Sequence, residues 1–417
     1  MADGMIEGRD LAAEAWTKRL DELDPADPLL FRTDSHWAYF ERLRREAPVH
    51  YCAHGEWGPY WSITRYHDIM AVDTNHQVFS SDAHLGGITL RDMDDDFVMP
   101  MFIAMDPPKH DDQRKVVSPI VSPDNLARME GTIRSRIRST LDSLPRGEAF
   151  DWVDTVSVEL TTQMLATLFD FPWEERRKLT RWSDIATATE GSPIYTTEAA
   201  RQAELLECVE YFTRLWNERI NAPPQPDLIS MLAHGESTRN MDRMEFLGNL
   251  VLLIVGGNDT TRNSMSGTIY AFNKFPDQWE KLKANPSLVT PAVSEIIRWQ
   301  TPLAYMRRTA LADHEIGGQT IRKGDKVAMW YVSGNRDEDV IEKPDVLNIE
   351  RPRPRQHLSF GFGIHRCVGN RLAELQLRIL LEEMLARFDR VELVEEPERV
   401  HSSFVKGYAR MLVRIPA

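Results

Sequence analysis

A mainly α-helical protein with a small β-rich lobe is the fold this sequence predicts, and three observations carry the prediction. Apolar residues recur at three- and four-residue spacing through most long segments, the signature of helices that bury one face. Strand-like stretches are few and short: "PYWSITRY" near the start, then "HEIGGQTI" and "KVAMWYV" in the second half. No internal repeat, low-complexity tract or long linker separates them, so helices and strands belong to one body. We expect an N-terminal extension over residues 1–30 and a single domain over 31–417.

The elements follow in order. "DNLARMEGTIRSRIRSTLDSL" and "SVELTTQMLATLF" predict two amphipathic helices before "NAPPQPDLI" breaks the pattern. Residues 244–272, "MEFLGNLVLLIVGGNDTTRNSMSGTIYAF", predict a long helix that is apolar on all sides through its first half, and therefore buried at the centre of the molecule. The Gly317-Gly318 step within "HEIGGQTI" predicts a hairpin turn. "RPRPRQ" reads as a loop, and "GNRLAELQLRILLEEMLARF" as a last long helix.

Composition narrows the function. The 417 residues are 42% hydrophobic, enough for a large core, and 64 acidic against 50 basic residues give a formal charge of -14. That charge repels phosphates and argues against a nucleic-acid partner. The longest apolar run, "LVLLIV" at 250–255, is far short of the ~20 residues that cross a bilayer. The acidic, polar start does not resemble a signal peptide, and Cys52, Cys208 and Cys367 form no CxxC pair. A soluble cytoplasmic protein without a membrane anchor is expected.

One of the three cysteines stands apart. In "FGFGIHRCVG" Cys367 runs directly into the last long helix, so its sulfur should sit near free N–H groups and the positive end of the helix dipole, a setting that favours thiolate. Gly361, Gly363 and Gly369 let the backbone approach a flat object closely. Phe360 and Phe362 supply aromatic packing, and His365 and Arg366 positive charge. A buried inert cysteine is the plainer reading of any single thiol, but here the whole pattern F-x-x-G-x-x-x-C-x-G is present as Phe360, Gly363, Cys367 and Gly369.

That loop resembles the haem-binding loop of the cytochrome P450 superfamily, in which a cysteine thiolate is the proximal ligand of haem iron and favours O–O cleavage. The resemblance implies the cytochrome P450 fold, haem b, Cys367 as the metal ligand, and Phe360, Gly363 and Gly369 around the cofactor. Three further stretches match the family. Gly257, Asn258, Asp259 and Thr260 fit its G-x-[DE]-T element. A Gly256-Gly257 pair inside a helix costs about 1 kcal/mol per glycine relative to alanine. The Thr260 hydroxyl, four residues on, can reach the Gly256 carbonyl and open a kink, leaving room beside Gly256 for a diatomic ligand. Asp259 and Thr260 are then the catalytic acid–alcohol pair for dioxygen activation.

In "AVSEIIRWQ", Glu295 and Arg298 share a helix face, and the resemblance implies a buried structural pair completed by Arg351. In "MDPPKHDDQRKVV", His110 and Arg114 lie one turn apart on a helix started by Pro107-Pro108. With Arg308 and His365 they are the expected partners of the two haem propionates.

The chain is thus expected to be a monooxygenase that inserts one atom of O2 into an unactivated C–H bond. It carries no flavin- or ferredoxin-like segment, so NAD(P)H-derived electrons are expected through a separate ferredoxin and ferredoxin reductase. The wording of the motif stretches is most similar to soluble bacterial alkane terminal hydroxylases, with enzymes of fatty acids or terpenes as the alternative. A haem-thiolate gas sensor or carrier would keep Cys367 without needing Asp259 and Thr260. Position relative to the motifs nominates Leu252, Val255, Leu303, Met306 and Phe404 for a substrate pocket. Residues 351–371 hold five arginines and no acid, and Arg366 is the expected docking residue for an acidic ferredoxin.

Overall fold

The computed structural model describes residues 5–6, 9–92, 95–188 and 192–417; residues 1–4 and 7–8 of the expected extension lie outside the described residues. A 32-residue helix, Arg243–Lys274, runs through the centre. The helices Glu159–Phe169, Arg177–Thr187, Glu198–Arg219, Val289–Gln300 and Asn370–Leu385 all pack against it. Asp242 caps its start, accepting from the backbone N–H groups of Met244 and Glu245 at 2.9 Å each, which satisfies donors that a first turn leaves without partners. The polar side chains inside this buried helix are matched. Asn249 accepts from the Phe102 N–H at 3.0 Å and donates to Gln113 at 3.1 Å, while Asn258 accepts from the Thr161 hydroxyl at 2.7 Å.

The β-rich lobe is a five-stranded sheet in the order Val49–Cys52, Tyr60–Ile63, Lys326–Met329, Met306–Ala310, Phe79–Ser80. Lys326–Met329 runs parallel to Tyr60–Ile63, with Val327 opposite Trp61, and antiparallel to Met306–Ala310, with Lys326 opposite Thr309. The predicted hairpin pairs His314–Ile316 with Gln319–Ile321 across Gly317-Gly318. Because side chains alternate along a strand, Met306 and Arg308 share one face and Arg307 the other, where it donates to the Gly86 and Thr89 carbonyls and pairs with Asp92.

Two stretches depart from the sequence reading. "KVAMWYV" is a strand only to Met329: Trp330 leaves the extended conformation to bury its indole, whose N–H donates to Ser62, and Tyr331–Gly334 is helical. A three-stranded sheet of Glu392–Leu393, Leu412–Arg414 and Ala149–Asp151 was not anticipated, because strands of two or three residues are too short to show an alternation.

Two of the hydrophobic clusters meet near the middle of the molecule. The larger surrounds the central helix. The other gathers Leu11, Leu23, Leu30, Phe31 and Phe40 with Tyr305 and Trp330, so the expected extension packs into the body from Leu11 onward. Phe404 packs against both clusters, its ring 5.3 Å from that of Tyr305. Among the described residues no helix is long and apolar enough to cross a membrane.

Candidate active site

A cavity of about 560 Å³ lies between the central helix and the cysteine loop. Gly256 and Thr260 line it from the helix, and Phe360, His365, Cys367 and Gly369 from the loop. All five nominated pocket residues, Leu252, Val255, Leu303, Met306 and Phe404, are in its wall, as are Arg114 and Arg308. Asp259, His110, Gly363 and Arg366 are not, nor are Glu295, Arg298 and Arg351.

The cysteine loop is held from behind. Asp73, buried, accepts from Arg308 at 2.9 Å, from the Tyr331 hydroxyl at 2.9 Å and from the Phe362 N–H at 2.8 Å, tying the sheet to the loop. Gly363 has φ +66°, and a Cβ there would fall 2.6 Å from the Asp73 carbonyl, so only glycine fits. The Cys367 N–H donates to the Phe360 carbonyl at 2.8 Å, and the helix Asn370–Leu385 begins three residues later. Cys367 is exposed to the cavity it lines. Contrary to the expectation of a thiolate, burial away from bulk water pushes its thiol above the ordinary value, while the N–H groups of Gly369 and Asn370 and the cations Arg114 and Arg366 pull it down. Helix N–H groups alone do not outweigh desolvation here; a cation at the sulfur would.

Two buried imidazole nitrogens, His110 Nε2 and His365 Nδ1, have no hydrogen-bond partner. Leaving such a group unmet costs about 1–3 kcal/mol, so each marks a place for a hydrogen-bonding partner. The two rings meet edge to face at 4.4 Å; His110 Nδ1 is 2.7 Å from Asp111, and His365 Nε2 is 3.1 Å from the Ser81 hydroxyl. Burial, with Arg308, His110 and Arg114 nearby, pushes His365 down to about 2. Arg114, on the helix Lys109–Val117, donates to the Arg366 carbonyl at 2.5 Å. A sulfur, two cations and the unmet His365 Nδ1 around a mostly apolar space fit a flat iron-bearing ligand with acidic edges. Gly256 adds room opposite: a Cβ there would meet nothing within 4 Å.

On the central helix the Thr260 hydroxyl donates to the Gly256 carbonyl at 3.2 Å, the contact expected from the sequence, although the helix itself runs unbroken from Arg243 to Lys274. Asp259 is fully buried away from the cavity. Its carboxylate accepts from Ser183 at 2.9 Å, Asn258 at 3.1 Å and Thr187 at 3.2 Å, and pairs with Arg262 at 3.1 Å, which also pairs with Asp184 at 2.7 Å. Thr187 does line the cavity, so it is the link between that space and Asp259.

Glu295 and Arg298 are completely buried and doubly bonded, both contacts 2.8 Å, and Arg351 adds a third at 3.0 Å. Burial alone would raise the Glu295 carboxyl; Arg298, Arg351 and the Asn348 N–H hold it below the ordinary range. Arg298 also donates to the Asn335 and Pro344 carbonyls, fixing the chain that leads into the cysteine loop.

Sequence reasoning missed much of the wall. Phe97, Met99, Met101, Phe102 and Ile103 line the cavity from the segment just before the His110 helix. The available signal was the dense, non-periodic apolar run "FVMPMFIAM", which suits neither a helix nor a strand face. Arg91, Glu198 and Arg201 are also in the lining, joined by Arg91–Glu198 at 2.8 Å and Arg201–Glu198 at 2.9 Å.

The family model "Cytochrome P450" matches residues 196–411. Linalool 8-monooxygenase of Pseudomonas putida is 37% identical over 94% of this chain and 99% of its own length. Among solved structures, CYP153D17 from Sphingomonas sp. PAMC 26605 is 54% identical with a TM-score of 0.90, over 96% of this chain and all of that one. Cytochrome P450-153 from Novosphingobium aromaticivorans is 49% identical with a TM-score of 0.88, over 94% of this chain and 98% of that one.

Proposed function

This chain belongs to the cytochrome P450 family and is a haem b monooxygenase that receives NAD(P)H-derived electrons through redox partners, and from that premise we propose that it hydroxylates the terminal carbon of medium-chain alkanes, with a ferredoxin and its reductase as the electron supply. The observation that carries the reading is the cavity: one space holds the Cys367 sulfur, the bare Gly256 surface and the Thr260 hydroxyl, and its other walls are mostly apolar side chains. Haem held there through Cys367 supplies the activation of O2. Arg114, Arg308 and His365 would hold its acidic edge, with the His110 ring packed against His365.

The remaining work falls to the protein. Thr260 holds a hydroxyl proton at the cavity surface, fixed by the Gly256 carbonyl. Asp259 keeps a carboxylate one hydrogen bond behind Thr187, so a proton can pass between solvent-remote Asp259 and the cavity through that hydroxyl. An alkane has no polar group for the charged side chains of the lining to hold, so its position among the mostly apolar walls is set by shape alone. A terminal methyl C–H bond is stronger than an internal methylene one. Terminal attack therefore requires Leu303, Met306 and Phe404 to admit only the chain end.

Gas chromatography of products from NADH-driven turnover with added ferredoxin and reductase tests this. A medium-length n-alkane should give mainly the 1-alcohol, and Leu303→Ala or Phe404→Ala should move product toward the 2-alcohol. Predominantly subterminal alcohols from the unmodified protein would overturn the terminal reading. Turnover of linalool with none of n-alkanes would favour a terpene substrate, the reading that the likeness to linalool 8-monooxygenase supports.

A further inference from the structure

A second cavity, of about 390 Å³, shares no lining residue with the first and is walled by Trp37, Tyr270 and Trp299. Its charge runs against that of the chain: six basic side chains and four acidic ones line it. The four carboxylates, Asp34, Glu41, Glu338 and Asp345, each pair with an arginine of the same wall. Lys274 and Lys406 are left over; among the described residues neither comes within 4.0 Å of a carboxylate oxygen. Lys406 places one N–H on the Gln300 carbonyl at 2.7 Å and lies 5.2 Å from the centre of the Trp37 ring, while Lys274 lies over Tyr270 and Trp299. Arg336 stacks on Trp37 and Trp299, and its buried Nε has no hydrogen bond, only the exposed Asp345 carboxylate at 3.4 Å.

Cations set on aromatic faces keep their N–H groups available to an acceptor, and crowding them in a partly closed space raises the demand for one. Burial pushes Lys406 down to about 7, with Asp34 opposing and Arg336, Arg399 and Lys274 adding to the fall, which is the behaviour of an ammonium short of negative charge. A neutral or cationic ligand would leave that shortage in place. We propose that this cavity is a second binding site, for the carboxylate or phosphate group of a small molecule, held by Lys274, Lys406 and Arg336.

The site is wired to the first cavity by the backbone. The Lys406 N–H donates to the Pro302 carbonyl at 2.8 Å, Leu303 bridges to Val405, and the Ala304 N–H donates to the Phe404 carbonyl at 2.9 Å. Leu303, Phe404 and Val405 face the other space, so an oxyanion that fixes Lys406 also steadies the wall in front of the sulfur.

Isothermal titration of the haem-loaded protein, at ionic strength held constant with sodium chloride, tests the assignment with inorganic phosphate and succinate as probes. One of the two should bind saturably at a single site, and which one does identifies the ligand's acidic group. Lys406→Gln and the exposed Lys274→Gln should each weaken that binding tenfold or more. Hydrogen exchange of the amides at 300–305 and 403–407 should slow on addition of the bound anion in the wild type and not in Lys406→Gln. Heats no greater than dilution for both probes, or an affinity unchanged in both variants, would overturn the site; unaltered exchange in those two segments would overturn its link to the substrate wall.

Discussion

Thr260 and Asp259 are neighbours in sequence and do different work because successive residues of a helix point about 100° apart. The threonine hydroxyl faces the cavity, and the carboxylate is bound by four side chains on the far side. Removing each should therefore fail differently. Thr260→Ala should still consume NADH but release a larger share of it as hydrogen peroxide, since the fixed proton at the cavity surface is gone. Asp259→Asn should keep coupling close to that of the wild type and slow turnover roughly tenfold or more, because the carboxylate that carries the proton behind Thr187 is gone. Product and peroxide per NADH, measured on both variants, separate the two; equal coupling in Thr260→Ala would remove the hydroxyl from the proposed role. The identity of these residues was legible from a local motif. Their division was not, because Ser183 and Thr187, which turn Asp259 away, lie 76 and 72 positions earlier in the chain.

Among the helices, the last one is joined to Pro123–Asp142 by charge as well as by packing. Glu383 of Asn370–Leu385 is buried and takes Arg134 at 2.9 Å, Arg138 at 3.0 Å and Arg387 at 2.6 Å. Burial would raise its carboxyl; the three arginines, Arg138 foremost, push it from 4.5 down to about 2. A carboxyl held below its ordinary value stabilises the fold fully above pH 4.5, and that stability is lost as pH falls toward 2. Denaturant unfolding of the haem-loaded protein should thus find Glu383→Gln less stable than wild type at pH 6, with the gap narrowing below pH 4.5 and closing near pH 2. A gap of constant size over that range would show that packing, not charge, is what the substitution removes. The helices themselves could be read from apolar spacing. This clasp could not, since Arg134 and Arg138 look like ordinary solvated charges until Glu383, 249 and 245 residues later, is folded against them. The C-terminal sheet stayed hidden for a related reason: its two- and three-residue strands carry no pattern of their own and are defined only by their partners.

For the molecule as a whole, a net charge of -14 sets a field that repels an acidic partner everywhere except where basic side chains gather. Arg366 and Arg371 flank Cys367 in the chain and are exposed, whereas Arg351 of the same run is committed to Glu295 and Arg355 to Glu374. Arg366→Glu should raise the concentration of an acidic ferredoxin needed for half-maximal reduction roughly tenfold, and added salt should erase most of the difference from wild type. An unchanged half-maximal concentration would place docking elsewhere. Phe404 has a different reach. Its ring forms part of the substrate wall and is also packed between two hydrophobic clusters, so a substitution there that reshapes the space in front of the sulfur also loosens the seam between them. Selectivity and thermal tolerance are thereby tied together at one position: trimming Phe404 should shift both, whereas trimming Leu252 or Val255, which pack against the larger cluster alone, should shift selectivity and leave the seam in place.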